Sequence, residues 1–446
     1  MADDSPKARG KGAAVQTADV RGGIRLATSA TLGLTDLVEA VHQRIARVPL
    51  LTTPAADGRT TGLTGLVYRS VRGVTRLVGG STEALLGLLA PILLPHPPVS
   101  GRPDADVDGH PEPPAVSAER EAVLAATNGV LGDHLAASAN PLAIGMALRR
   151  DGRPLLLERN ALAQRLPQAT GGVLVLLHGL CMNDLQWQRE GHDHGAALAH
   201  ALGLTPLYLH YNSGRHISQN GAELAGLMQR LIDQWPQPVE RLVLMGHSMG
   251  GLVARSALQA GAAAEQVWVG RVNDLVCLGS PHHGATLEKA GHWLDMLLGA
   301  SAYSAPFARL VQLRSAGITD LRHGNVVDAD WQGLDRFAHA ADQRQHLPLP
   351  NHIRCYAAAG CLGQASDADR SWPARLLRQT PGGNNLVSDR LVGDGLVPVD
   401  SALGRHRDPQ RCLAFPADRQ WVGHDINHMQ LLSHPAVAAQ LLRWLA

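Results

Sequence analysis

The strongest chemical signal in the chain is the segment running from Arg241 through Leu-Val-Leu-Met into Gly246-His247-Ser248-Met249-Gly250. An apolar run feeds the glycine-flanked serine, and a helical pattern follows it as far as Arg255. A serine on so sharp a strand-to-helix turn stands proud of a sheet at a helix N-terminus, where developing negative charge is favoured. Side chains at positions 246 and 250 would collide with neighbouring elements, which explains the glycines. The chemistry this pattern suits is nucleophilic attack by the Ser248 hydroxyl on an acyl carbon.

Such a serine needs a base, and the base needs an orienting carboxylate; behind a strand–turn–helix serine they follow in the order acid, then histidine. Gly393-Asp394-Gly395 puts a carboxylate in a tight polar loop, and Gly423-His424-Asp425-Ile426-Asn427-His428 offers two imidazoles. A helical pattern with Leu431, Leu432 and Val437 begins directly after His428, so Asp394 and His428 are the first choices. Asp400 and His424 are their rivals, and His434, before a proline, suits a cap or surface role. Two main-chain N–H donors must face the oxyanion. Met249 follows the nucleophile, and Leu180 lies in the loop His178-Gly179-Leu180 after an apolar run. His178 fits orientation of that loop better than catalysis.

The candidate substrate contacts are His178, Gly179, Asn183, Trp187, Tyr211, His247 and His282, each with loop scaffolding as the competing role. Asp184, Asn212, Arg215, Ser280 and His283 share these loops. No metal site is expected: His282 and His283 are adjacent, so they point apart, and no Asp or Cys stands at ligand spacing.

These residues need a sheet to hold them. Short apolar runs at Val173–Leu177, Pro206–His210, Arg241–Met245, Asp274–Leu278 and Ile353–Ala358 alternate with helical stretches. That pattern predicts parallel strands covered on both faces. Before them, alternation over Leu142–Leu148 and the pair Asp151-Gly152 predict a β-hairpin returning into Leu155–Leu157, and a helix is expected from about Ser117. The sequence divides into a disordered tail (1–26), a helical region (27–94), a Pro/Asp-rich linker (95–116) and a catalytic domain (117–446). Residues 286–350, with an amphipathic stripe over Leu287–Leu298, form a candidate cap or lid.

The bulk composition bounds the function. The chain has 446 residues, 45% hydrophobic, enough for a large core. A net charge of +1 and 4% aromatics, with no interleaved basic block, argue against a nucleic-acid partner. Five scattered cysteines without CxxC spacing favour reduced thiols. No secretory leader and no uniformly apolar run of about 20 residues are read, which predicts a cytoplasmic protein. Arg69, Arg72 and Arg76 share one helical face, so residues 27–94 are a candidate peripheral membrane contact.

The stretches VLVLLHGL, LVLMGHSMGGLVAR, LVCLGSPHHGA, VGDGLVPVDSALG and NHMQLLSHPAV together resemble the lipase and esterase branch of the α/β-hydrolase superfamily, over about residues 140–446. Their details are most similar to bacterial triacylglycerol lipases and to the lipases that deacylate GPI inositol. The resemblance implies an α/β-hydrolase fold, a mostly parallel central sheet with helices on both faces, here with an N-terminal helical extension. It also implies a carboxylic ester hydrolase forming an acyl-enzyme at Ser248, with Asp394 and His428 as partners, Leu180 and Met249 as the oxyanion pair, and no cofactor. The substrate would be a small-molecule or lipid ester. A thioesterase, amidase or acyltransferase on the same fold is one alternative. A membrane- or granule-surface binding protein using the hydrolase as scaffold is the other.

Overall fold

The computed structural model describes residues 18–29, 32, 118–285, 315–334, 342, 344–362 and 393–446. The helical patterns expected in 33–94, the linker and the 287–298 stripe lie outside these residues. The contacts divide the chain into two compact units: residues 1–117 with 135–143, and 118–134 with 144–446.

In the first unit, helix α1 covers residues 18–29 and so begins inside the stretch expected to be a disordered tail. The glycines at 22 and 23 are poor helix formers, and tertiary contacts supply what propensity lacks. Asn140 donates its side-chain N–H to the Gly22 carbonyl (3.1 Å), and Arg25 donates to the Ala139 carbonyl (3.3 Å).

In the second unit, the described strands form one eight-stranded sheet. Strands β1 (Ala147–Arg150) and β2 (Arg153–Pro154) make the hairpin, turned by Asp151 and Gly152 with positive φ of 54° and 72°. The return strand is shorter than expected. Pro154 carries no N–H to extend the ladder, and Leu156 is exposed. The remaining strands are β3 (Gly172–Leu177), β4 (Thr205–His210), β5 (Arg241–His247), β6 (Val272–Leu278), β7 (Arg354–Cys361) and β8 (Gln420–His424). Their order is β2-β1-β4-β3-β5-β6-β7-β8, with β1 antiparallel to both neighbours and every later pair parallel.

The helices are α2 (Ala118–Ala137), α3 (Arg159–Arg165), α4 (His194–Leu202), α5 (Ile217–Gln234), α6 (Met249–Ala263), α7 (Ala316–His323), α8 (Val399–Ala402) and α9 (Pro435–Leu445). From β3 the chain crosses to β4 on one side, through α4. From β4 it passes back beyond β3 to β5, through α5, and then to β6, through α6. Right-handed crossovers in opposite directions put α4 on one face and α5 with α6 on the other. Accordingly α4 packs with α9, and α5 packs with α6. The strands between them are buried on both faces, with Val173–Leu177 and Leu242–Met245 in the centre of the core. The direction reverses between β3 and β5, and the crevice at their carboxyl ends is where open α/β sheets bind ligands. No helix among the described residues is long and apolar enough to cross a membrane.

Candidate active site

Both loops expected to carry the chemistry open into that crevice. Ser248 joins β5 directly to α6 and holds φ 55° and ψ −121°, a left-handed backbone that serine seldom adopts. The turn closes so tightly that a Cβ on Gly246 would strike the Gly251 amide, and one on Gly250 would strike the Leu177 carbonyl. Ser248 donates its main-chain N–H to the Leu278 carbonyl (2.8 Å), tying the turn to the end of β6. From β3, Gly179 comes so close that a Cβ on it would lie 3.1 Å from Ser248 Cβ. Among the described residues, the Leu180 amide donates no hydrogen bond. The Met249 amide, first in its helix, has no acceptor within the helix.

Asp394 lies in a loop beyond β7, and His428 follows β8. Both are fully buried, and His428 Nδ1 is 2.6 Å from Asp394 Oδ2. The other carboxylate oxygen, Oδ1, accepts the amides of Leu396 (3.0 Å) and Val397 (2.8 Å), and the His428 amide donates to the Asp394 carbonyl (3.0 Å). These bonds leave the carboxylate one direction in which to face the imidazole. His428 Nε2 is buried without a hydrogen-bond partner, so the Ser248 hydroxyl is not bonded to it in this structure. Just past β6, Gly279 follows Leu278, the acceptor of the Ser248 amide, and comes so close to His428 that a Cβ on it would lie 3.1 Å from the ring.

The rivals stand elsewhere. Asp400 lies in α8 with its side chain 3.7 Å from Arg405, His424 ends β8, and the His434 side chain caps α9 by accepting from the Ala436 amide (3.2 Å).

Of the residues expected as substrate contacts, His178, Asn183 and Tyr211 make internal hydrogen bonds, whereas Trp187 Nε1, His247 Nδ1 and His282 Nε2 are buried without one. The His178 ring stacks on Tyr211 with centroids 4.3 Å apart. Its Nδ1–H donates to the Gly179 carbonyl (2.8 Å), its Nε2 accepts from the Tyr211 amide (3.4 Å), and Tyr211 Oη donates to the His178 carbonyl (2.8 Å). Burial depresses the His178 pKa to about 3, so this loop is braced by a neutral ring. Asn183 accepts from the Leu185 amide and caps a short 3-10 turn in which Trp187 is fully buried. Trp187 stands edge-on to His247 with ring centroids 6.5 Å apart. His247 is fully buried and bonds through Nε2 to the His428 carbonyl (3.1 Å). His282 lies away from these, beside Arg255 and Phe415.

One cluster was not expected. Glu121 of α2, Asp184 after β3 and His210 at the end of β4 bring potential ligand atoms within 4.8 Å of one another, all buried. Arg149 of β1 already fills the cation's role, with Nη1 2.6 Å from Glu121 Oε2 and 3.2 Å from Asp184 Oδ1. Burial alone would raise the Asp184 carboxyl; His210, with Nδ1 3.1 Å away, and the Arg149 guanidinium hold it below its usual value. We therefore read an ion network joining α2 to the sheet. Its members come from four separate elements, and no local spacing announces them.

The mostly parallel eight-stranded sheet, with helices on both faces and a strand-to-helix turn at Ser248, is the α/β-hydrolase fold. Residues 168–347 match the family model described as the PGAP1-like alpha/beta domain, a span reaching from before β3 through β6 and α7. Among solved structures, the chain is similar to the mature form of the Bacillus licheniformis lipase BlEst2 (18% identity, TM-score 0.38, covering 62% of this chain and 92% of that one). It is also similar to Aspergillus fumigatus lipase B (11%, TM-score 0.34, 64% and 57%) and to the Pyrococcus furiosus esterase Pf2001 (14%, TM-score 0.33, 62% and 81%). No curated protein matches the chain.

Proposed function

We propose that this protein is a serine hydrolase that cleaves carboxylic esters of lipid-like character through an acyl-enzyme on Ser248. The observation that carries the reading is the 2.6 Å His428–Asp394 pair, buried beside a serine held at positive φ on a strand-to-helix turn. With its Nδ1 proton donated to Asp394, the imidazole presents the Nε2 lone pair as a base. In this scheme Ser248 Oγ attacks the ester carbonyl and His428 Nε2 takes its proton. The amides of Leu180 and Met249 stabilise the oxyanion. Collapse expels the alcohol, which receives the proton from His428. Water, deprotonated by the same ring, then releases the acid and restores the serine.

The lipid-like substrate, a cytoplasmic location and peripheral membrane contact through residues 27–94 belong to the same proposal. The test is labelling by a fluorophosphonate probe, followed by p-nitrophenyl esters of increasing chain length alongside thioester and amide analogues. Wild type should label and should prefer esters, and Ser248→Ala should lose both labelling and turnover. Labelling that survives in Ser248→Ala removes the nucleophile assignment. Faster thioester or amide turnover reassigns the bond that is cleaved.

A further inference from the structure

The Leu180 amide, one of the two proposed oxyanion donors, sits in a turn whose shape its own residues do not favour. Met182 donates its main-chain N–H to the Gly179 carbonyl (3.4 Å), which closes a turn over 179–182. Leu180 keeps a negative φ, whereas Cys181 after it holds φ 59°. Glycine or asparagine usually fills that third place, because an L side chain resists positive φ. This sign pattern means that the central peptide, Leu180–Cys181, is turned over relative to the commoner turn, in which both values are negative. Cysteine has no preference of its own for that form, so contacts outside the turn must hold it.

The hold comes from the loop after β4. Ser213 Oγ accepts the Cys181 amide (3.1 Å), the N–H of the overturned peptide, and both residues are buried. Were the peptide to turn back, that N–H would point away from Ser213. The peptide on the other side of Leu180 is fixed as well, since the Gly179 carbonyl also accepts His178 Nδ1–H (2.8 Å). With both flanking peptide planes held, the φ and ψ of Leu180 cannot drift, and its N–H keeps one direction. Ser213 is itself anchored. Its carbonyl lies so close to α7 that a Cβ on Gly317 would strike it. Gly214 donates to Asn212 Oδ1 (3.1 Å) and accepts the Gly317 amide (3.0 Å), and Asn212 Nδ2 donates to the Gly132 carbonyl of α2 (2.9 Å). On the α2 side Cys181 is hemmed in, for a Cβ on Gly129 would strike its Sγ.

We propose that Ser213 is a positioning residue of the oxyanion site: its hydroxyl holds the Leu180–Cys181 peptide turned over and so aims the Leu180 amide at the acyl oxygen. The inference rests on the proposed acyl-enzyme at Ser248. An oxyanion donor contributes most when it already points at the developing charge and need not reorganise. Without Ser213, Cys181 relaxes toward negative φ, and the Leu180 amide holds the right direction only part of the time. The ground-state ester gains little from that direction, so the loss falls on the transition state.

The test is ester turnover by the full-length protein as wild type, Ser213→Ala, Cys181→Gly and the double variant. Ser213→Ala should lower kcat about tenfold, the effect of one hydrogen bond, with KM within about twofold of wild type. Inhibition by an aryl trifluoromethyl ketone should weaken by the same factor. Ser248 adds to its carbonyl carbon, His428 takes the serine proton, and the resulting oxyanion needs the same two amides. Glycine adopts positive φ freely, so Cys181→Gly in the Ser213→Ala background should restore most of the lost kcat. A bond that merely tied two loops together would gain nothing from that second change, which removes a packed side chain. Unchanged kcat in Ser213→Ala, a loss confined to KM, or undiminished inhibition by the ketone overturns the assignment. So does a double variant that folds, as judged by circular dichroism, yet is no faster than Ser213→Ala. Should the double variant not fold, the split between kcat and KM and the ketone inhibition decide. These failures leave Ser248 as the nucleophile. Absence of turnover in wild type, or fluorophosphonate labelling that survives Ser248→Ala, ends the hydrolase reading and this inference together.

Discussion

His247 donates its Nε2–H to the main-chain carbonyl of His428 across 3.1 Å, with the two rings 4.6 Å apart. The residue before the proposed nucleophile thus holds the loop that carries the proposed base. Burial, reinforced by the nearby His428, keeps the His247 pKa well below 6.5, so the ring is neutral and able to hold this tautomer. His247→Phe should lower kcat about tenfold with little change in KM, the effect of one lost hydrogen bond on positioning. His247→Gln, which keeps a donor, should recover most of the loss. Equal losses in both variants would show that packing alone is at stake.

Asp394→Asn tests the acid. An amide keeps an oxygen for the Leu396 and Val397 amides but can turn an NH2 toward His428 Nδ1. The imidazole would then carry its proton on Nε2 and could not act as a base. Ester turnover should fall by about 10^4-fold with the thermal midpoint nearly unchanged. A loss of less than about tenfold would remove Asp394 from the mechanism.

Arg149→Ala tests the buried ion network. Removing the guanidinium takes from Asp184 its arginine partner and leaves Glu121 only the flanking Arg120, which should cost about 3–5 kcal/mol in urea unfolding. Zinc or calcium should restore part of that stability in the variant and leave the wild type unchanged. A wild-type midpoint that rises with either ion would show that the cluster admits metal despite the arginine.

Acid should unfold this protein through its buried imidazoles. Burial depresses His178 to about 3 and His194 to about 4, against 6.5 for the free group. Below pH 6.5 the unfolded chain therefore takes up protons that the native rings refuse. The stability is fully present above that pH and is lost as pH falls toward the folded values, at about 1.4 kcal/mol per pH unit for each ring. Urea midpoints at neutral pH and at about pH 5 give the slope. His194→Gln, which can still donate to the Leu431 carbonyl in place of Nε2, should flatten it. An unchanged slope would assign acid sensitivity elsewhere.

What the sequence makes legible follows from where the information is local. Strands β3, β5 and β6 are visible because burial on both faces demands continuous runs such as Val173–Leu177. The serine turn is visible because only glycine fits at 246 and 250. Strand β8, Gln-Trp-Val-Gly-His, has no such mark, since it lies at the sheet edge and is only partly buried. Asp394 and His428 could be chosen by chain order, but their pairing is made by the packing of β7 against β8. The partners of Arg149 are long-range facts, for no window of sequence contains both sides of that network. The same holds for α1, whose glycines hide a helix fixed by contacts with residues 139 and 140.

The backbone at Ser248 carries a consequence for directed evolution. A serine at φ 55° stores strain on the order of 1–2 kcal/mol, which glycine would release. A library screened only for heat tolerance should therefore enrich Ser248→Gly and collect hardy, inert clones. Any campaign to toughen this protein must score turnover in the same round, because under the proposed mechanism endurance and chemistry select opposite residues at this one position.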